Sequence, residues 1–150
     1  MLEIKNISKE FKDIRAVDKL SFHVSKGEIV GLLGENGAGK TTTLRMISTM
    51  LKPTQGTIEV NGYDVIKEPS KVRGEIGILF GGEVGLYDRL SARENIEYFG
   101  RLYGMTQEKI NKKMEELIKD LEMKEYIDRK AGKFSRGMKQ KVSIARSIIH

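Results

Sequence analysis

Between residues 34 and 41 the chain reads Gly-Glu-Asn-Gly-Ala-Gly-Lys-Thr, three glycines within six positions followed by a cation and a hydroxyl. Glycine at Gly34, Gly37 and Gly39 takes the Cβ out of a tight turn, so that the backbone N–H groups of the string, including those of Glu35, Asn36 and Ala38, can turn toward one concave point. Converging amides suit an anion. The spacing G-x-x-x-x-G-K-[ST] sets Lys40 within reach of the β and γ phosphates of a nucleoside triphosphate and offers the Thr41 hydroxyl to Mg²⁺. The positive end of a helix beginning near Gly39, with Thr42 in its first turn, adds fixed partial charge. Residues 34–42 are therefore the candidate contacts for ATP, and Thr41 is the candidate metal ligand. The plainer reading is a glycine turn that joins a strand to a helix.

The flanks have the order that a phosphate-binding turn requires. Gly27-Glu28-Ile29-Val30-Gly31-Leu32-Leu33 is a near-continuous apolar run, as expected of a strand buried on both faces in a parallel sheet. Thr42 to Leu51 has helical character, and Lys52-Pro53-Thr54-Gln55-Gly56 ends it. Nearer the N-terminus, Leu2 and Ile4 alternate with Glu3 and Lys5, and Leu20, Phe22 and Val24 alternate with Ser21, His23 and Ser25, the period of half-buried antiparallel edge strands. Strands over Thr57–Val60 and Tyr63–Val65 flank Asn61-Gly62, a hairpin-turn dipeptide, and Ile76–Phe80 is a second short buried strand. From Ser91 the texture turns helical. Ser91 and Glu94 make a capping-box pattern ahead of Ile96, Phe99 and Tyr103. Thr106 caps a helix striped by Ile110, Met114, Leu117, Ile118 and Leu121. A third helix starts after Ser135, and Val142, Ala145, Ile148 and Ile149 carry its apolar face to the last residue, so the chain is expected to be cut inside a helix.

Composition narrows the function classes. With 150 residues, 39% hydrophobic and 32% charged, the chain has material for one folded domain or part of a larger one. No cysteine is present, which excludes disulfides and thiolate chemistry, and only two histidines are available as imidazole ligands. No apolar run approaches the length that spans a bilayer, and no leader-like segment opens the chain; a soluble, intracellular protein is expected. The net charge of +6 suits an anionic partner. Much of it, however, is Lys109, Lys112, Lys113 and Lys119 set among Glu108, Glu115 and Glu116, which reads as a solvated helix face.

Phosphate loops serve kinases, GTPases and transport ATPases alike, so the loop alone leaves the reaction open. Phe134-Ser135-Arg136-Gly137-Met138-Lys139-Gln140-Lys141 resembles the signature motif of ABC ATPases, usually L-S-G-G-Q, with phenylalanine for leucine, Arg136 for the first glycine and Met138 for the terminal glutamine. Physically, Ser135 and Gly137 lie at a helix start where hydroxyl and amides can clamp an anion, or where the serine serves as an ordinary cap. The resemblance implies that Ser135 and Gly137, with Lys40, are catalytic residues, the first two facing the γ-phosphate held by a second subunit in a head-to-tail dimer. Arg136 would contact phosphate or face solvent. The same resemblance implies an α/β P-loop NTPase fold, a RecA-like core with N-terminal antiparallel β elements and a helical subdomain, lacking the C-terminal part of the core. It divides the chain into a nucleotide-binding core, residues 1–85 and 133–150, and a helical subdomain, about 86–132. Phe11 falls where these ATPases stack an aromatic ring on adenine; core packing is its rival role. Gly81 stands where the family usually has a glutamine that touches Mg²⁺.

Residues 77–90 are similar to the ATPase subunit of bacterial sodium-extruding ABC exporters. The implied function is the ATP-binding, energy-coupling subunit of a transporter, exporting Na⁺ or another small substrate, on the inner face of the cell membrane beside an integral-membrane permease. Nucleic acid is not an expected partner. A soluble ATPase of the same class acting on DNA or ribosomes is the alternative, and a P-loop small-molecule kinase is a third. The Walker B aspartate, the catalytic glutamate and the switch histidine of the family would lie beyond His150, so these residues alone are expected to bind ATP without hydrolysing it. The 150-residue piece by itself is also expected to be poorly stable, with an apolar edge exposed.

Overall fold

Strand β1 (Leu2–Phe11) pairs on one side with β2 (Ile14–Val24) and on the other with β3 (Gln55–Val60), which in turn pairs with the short β4 (Tyr63–Asp64). The result is a four-stranded antiparallel sheet of order β2-β1-β3-β4. The computed structural model describes residues 1–79 and 85–150, which fall into two compact units, residues 1–76 and 77–150. In the first unit β1 is interior, not the edge element its alternation suggested, and β2 is the edge.

The alternation of β1 also breaks. Ile4 and Ile7 are both buried although they lie three residues apart. A register shift between them, with Asn6 at φ 48°, inserts the extra residue of a bulge and returns Ile7 to the core face. Asn6 donates its N–H to Ser21 Oγ at 2.7 Å. Across the sheet Gly56, at φ 82°, leaves room for the carbonyls of Lys5 and Asn6, which a Cβ there would strike. At the other end of β3, Asn61 (φ 49°) and Gly62 (φ 86°) form the expected two-residue hairpin, with Val60 opposite Tyr63. Ile4, Ile7, Ile58 and Val60 meet Met46 of α1 (Lys40–Ile47) and Val72 of α2 (Pro69–Glu75) in one core. The sequence reading missed α2, whose signal is Pro69 at the first helical position.

The run Gly27–Leu33 corrects the expectation of a buried parallel strand. Among the described residues no strand pairs with it, and Ile29 and Leu33 are 98% and 92% exposed. A continuous apolar run becomes a buried strand only when neighbours supply both a ladder and two covering faces. Residues 76–79 of the second predicted strand likewise have no ladder, and Phe80 lies outside the described residues.

In the second unit, α3 (Ala92–Leu102) packs against both α4 (Gln107–Asp120) and α5 (Arg136–Ser147). All three N-caps are those read from the sequence: Ser91 in a capping box with Glu94, Thr106, and Ser135. Ser91, through its backbone N–H first and then its hydroxyl, holds the Glu94 carboxyl below the usual range. Tyr103 is the C-cap of α3 and is 43% exposed. Gly104 (φ 72°) follows and closes a Schellman turn, with Met105 N–H on the Gly100 carbonyl. Gly100 also lets α3 and α4 approach, because a Cβ there would come within 2.8 Å of Ile110 Cγ1. Ile110, Met114 and Leu117 are buried as their spacing predicted. A 3-10 turn at Ala131–Lys133 precedes α5. Contrary to expectation, α5 ends at Ser147 with Ile148 as its C-cap, and Ile149 is buried from beyond the helix.

Asn95, fully buried on α3, fastens residues 87–91 to this unit. Its Oδ1 accepts from Tyr87 N–H at 2.8 Å, while Nδ2 donates to the carbonyls of Tyr87 and Ser91 at 3.1 and 2.8 Å. Truncation would leave the Tyr87 N–H without its acceptor, while the Tyr87 and Ser91 carbonyls would keep the N–H groups of Leu90 and Asn95. Asn95→Ala is expected to lower the stability of the full-length protein by about 2–4 kcal/mol, against about 1 kcal/mol for Ser91→Ala, measured by urea unfolding.

Candidate nucleotide-binding site

The glycine loop opens α1. Gly34, Gly37 and Gly39 have φ of 152°, 92° and 81°, and Ala38 N–H closes a turn on the Glu35 carbonyl at 3.2 Å. Gly39 is the N-cap and brings no side-chain cap, and the first intrahelical bond runs from Thr43 N–H to its carbonyl. The amides of Lys40, Thr41 and Thr42 therefore stand at the positive end of the helix with no carbonyl behind them. Lys40 folds back across the loop, and its Nζ donates to the carbonyls of Gly34 at 2.7 Å and Glu35 at 2.5 Å. Thr41 is exposed, whereas Thr43 one turn position on is buried.

Gly39 differs in kind from its neighbours. A Cβ there would collide with the Ala16 carbonyl and come 3.0 Å from Val17 Cγ2, so the loop rests directly on β2. Gly37 has open space around it. Beside the loop, Ala16, Val17, Ala38, Lys40 and Thr43 help to line a cavity of about 260 Å³.

Phe11 ends β1, and its ring is 45% exposed with Lys9 Nζ 5.1 Å from the centroid. That exposure excludes core packing. Its cross-strand partner Ile14 lies two residues from Ala16, or about 7 Å along the strand. Phe11 thus belongs to the hairpin on which the loop rests. In the second unit Ser135, Arg136 and Gly137 are all exposed at the start of α5. Ser135 Oγ accepts from Met138 N–H at 3.2 Å, and no atom crowds Gly137. The capping role of Ser135 is realised, and the amides at the helix start are accessible. Gly81 lies outside the described residues.

Open space at Gly37 and the Lys40 ammonium across the loop fit a nucleotide's phosphates. Among the described residues no group of three or more His, Cys, Asp or Glu could hold a metal ion.

An antiparallel sheet, a glycine loop and the helix it opens define the class as a P-loop NTPase. The chain belongs to the ABC transporter family, whose sequence model matches residues 17–150. It is 51% identical to the ABC transporter ATP-binding protein NatA of Bacillus subtilis, over all of this chain and 63% of NatA. It is 39% identical to the linearmycin resistance ATP-binding protein LnrL of the same organism, over all of this chain and 48% of LnrL. A solved ATP-binding cassette, dimeric, in a post-hydrolysis state and bound to ADP and Pi, superimposes with a TM-score of 0.78 at 26% identity, covering 99% of this chain and 69% of the other. The chain thus spans about half to two thirds of the length of these relatives.

The two glycines give a direct comparison. Gly37→Ala meets only the left-handed backbone cost of about 1–2 kcal/mol, and Gly39→Ala adds a collision with backbone that cannot yield. In chemical denaturation Gly39→Ala is expected to lower the unfolding midpoint markedly more than Gly37→Ala.

Proposed function

We propose that this chain is the ATP-binding part of the energy-coupling subunit of an ABC transporter, an exporter of Na⁺ or another small substrate. The observation that carries the reading is the glycine loop with Lys40 folded across it at the start of α1. Likeness to NatA over the full chain supports the exporter assignment. Lys40 and the amides of residues 34–42 bind the β and γ phosphates, Thr41 gives its hydroxyl to Mg²⁺, and the exposed ring of Phe11 stacks on adenine. Bound Mg²⁺ would offset phosphate charge. Ser135 and Gly137 present hydroxyl and helix-start amides to the γ-phosphate held by a second copy, an arrangement supported by the dimeric state of the solved cassette. Residues 1–85 and 133–150 form the nucleotide-binding core, and about 86–132 the helical subdomain that docks on a membrane permease at the inner face of the membrane. No described helix is long and apolar enough to cross a membrane, which suits a subunit that acts on a separate permease. Hydrolysis belongs to the full-length protein, and the 150 residues alone bind ATP without turning it over.

Two variants test the reading in the full-length protein. Lys40→Ala should abolish ATP binding. Ser135→Ala should leave binding within about threefold and remove most of the hydrolysis, on the order of 100-fold, as loss of a transition-state contact does. A small-molecule kinase would keep its rate in Ser135→Ala, which would overturn the reading. Co-purification of an integral-membrane protein is expected. Salt-sensitive retention of RNA or DNA would favour the soluble class that the net charge of +6 also suits.

A further inference from the structure

The end of β1 is fastened to the segment that follows α1. Thr54 N–H donates to the Ser8 carbonyl at 2.8 Å, and Glu10 N–H donates to Thr54 Oγ1 at 3.1 Å. Between them Lys9 Nζ donates to the Lys52 carbonyl at 2.9 Å and lies over the Phe11 ring, 5.1 Å from its centroid. Residues two apart on a strand share a face, which sets the two side chains side by side. Among the described residues no carboxylate pairs with Lys9, whereas Arg15 on the facing strand is held by Glu10 and Asp18. The Lys9 ammonium is thus committed to a carbonyl and a ring.

An ammonium held over one face of an aromatic ring has two effects. It occupies that face, so that a base can stack only on the other, and it draws π density toward itself, which leaves the opposite face less negative. A purine is π-rich, and a less negative face repels its π cloud less. The position also suits a nucleotide. Lys9 lies opposite Val17 on β2, and Val17 with Ala16 is where Gly39 seats the phosphate loop.

We propose that Lys9 is a positioning residue for the base of the nucleotide: anchored on the Lys52 carbonyl, its ammonium covers one face of Phe11 and leaves the other for the purine. The inference rests on the reading of Phe11 as the ring that stacks on adenine. It assigns base affinity to a side chain that touches no nucleotide.

Isothermal titration of the full-length protein in the presence of Mg²⁺ tests it, with a non-hydrolysable ATP analogue and with inorganic tripolyphosphate, which has the phosphates and no base. Phe11→Ala should weaken binding of the analogue about tenfold and leave tripolyphosphate within about twofold. Lys9→Met, which keeps the apolar stem without the charge, should weaken the analogue about three- to fivefold, again with tripolyphosphate within about twofold. Lys9→Arg should hold the analogue within about twofold of the parent. In the Phe11→Ala background Lys9→Met should cost nothing further, since a residue that acts through the ring has no effect without it. Should Lys9→Met fail to fold, Lys9→Gln, whose amide is a donor without charge, is expected to show the same loss. Parent-like affinity for the analogue in Lys9→Met, an equal loss for tripolyphosphate, or a further loss in the Phe11→Ala background would overturn the inference and leave the stacking role of Phe11 intact. Parent-like affinity for the analogue in Phe11→Ala would overturn both.

Discussion

The approach of Gly39 to the backbone of Ala16 fixes where α1 can begin, and the site follows from that start. Lys40 is the first helical residue because Gly39 is the cap, and the free amides of the first turn point out of the loop for the same reason. The sheet contributes by setting β2 in place: β1 is pinned between β2 and β3, and its bulge at Asn6 keeps Ile4 and Ile7 on the core face. Below the loop Thr43 and Met46 enter the core and anchor α1 from within. An electrostatic site thus depends on a steric fit, since converging amides bind an anion only if the turn that aims them cannot relax.

The second unit is organised by local chemistry to a greater degree. Its three helices start at side-chain caps, and two of them end in a left-handed residue, Gly104 after α3 and Glu122 after α4, with the next N–H bonded back into the last turn. In the first unit α1 ends in the same way at Thr49, φ 63°, a β-branched residue in a conformation it resists. Arg73 Nη1 donates to Thr49 Oγ1 at 3.0 Å, which gives that strained position a compensating contact.

What the sequence made legible divides along this line. Ser91 with Glu94, Thr106 and Ser135 could be read as caps because the bonds they make reach only three residues ahead. Asn61-Gly62 was equally readable, since a two-residue turn is decided by its own backbone angles. Gly27–Leu33 was misread because a strand exists only through distant neighbours, which no local pattern supplies. The bulge at Asn6 was hidden for the same reason: its determinant is Gly56, fifty residues away. Phe11 could have packed inward or outward, and only the hairpin register placed its ring outside. Asn95 escaped notice because its bonds depend on residues 87–91 returning to α3, and the only sequence signal was an asparagine amid apolar helix positions. The backbone of the loop at 34–41 was legible because its three positive-φ positions are the three glycines of the pattern.

The hairpin that carries Phe11 differs along its length in how much change it tolerates. Phe11 is nearly half exposed at the end of β1, while Gly39, the cap of α1, presses on Ala16 in the inner stretch of the same hairpin. Changes of side chain at position 11 therefore cost little in fold, whereas position 39 allows no such latitude. A single hairpin thus carries an end open to change and, further in, a backbone contact that fixes the start of a helix.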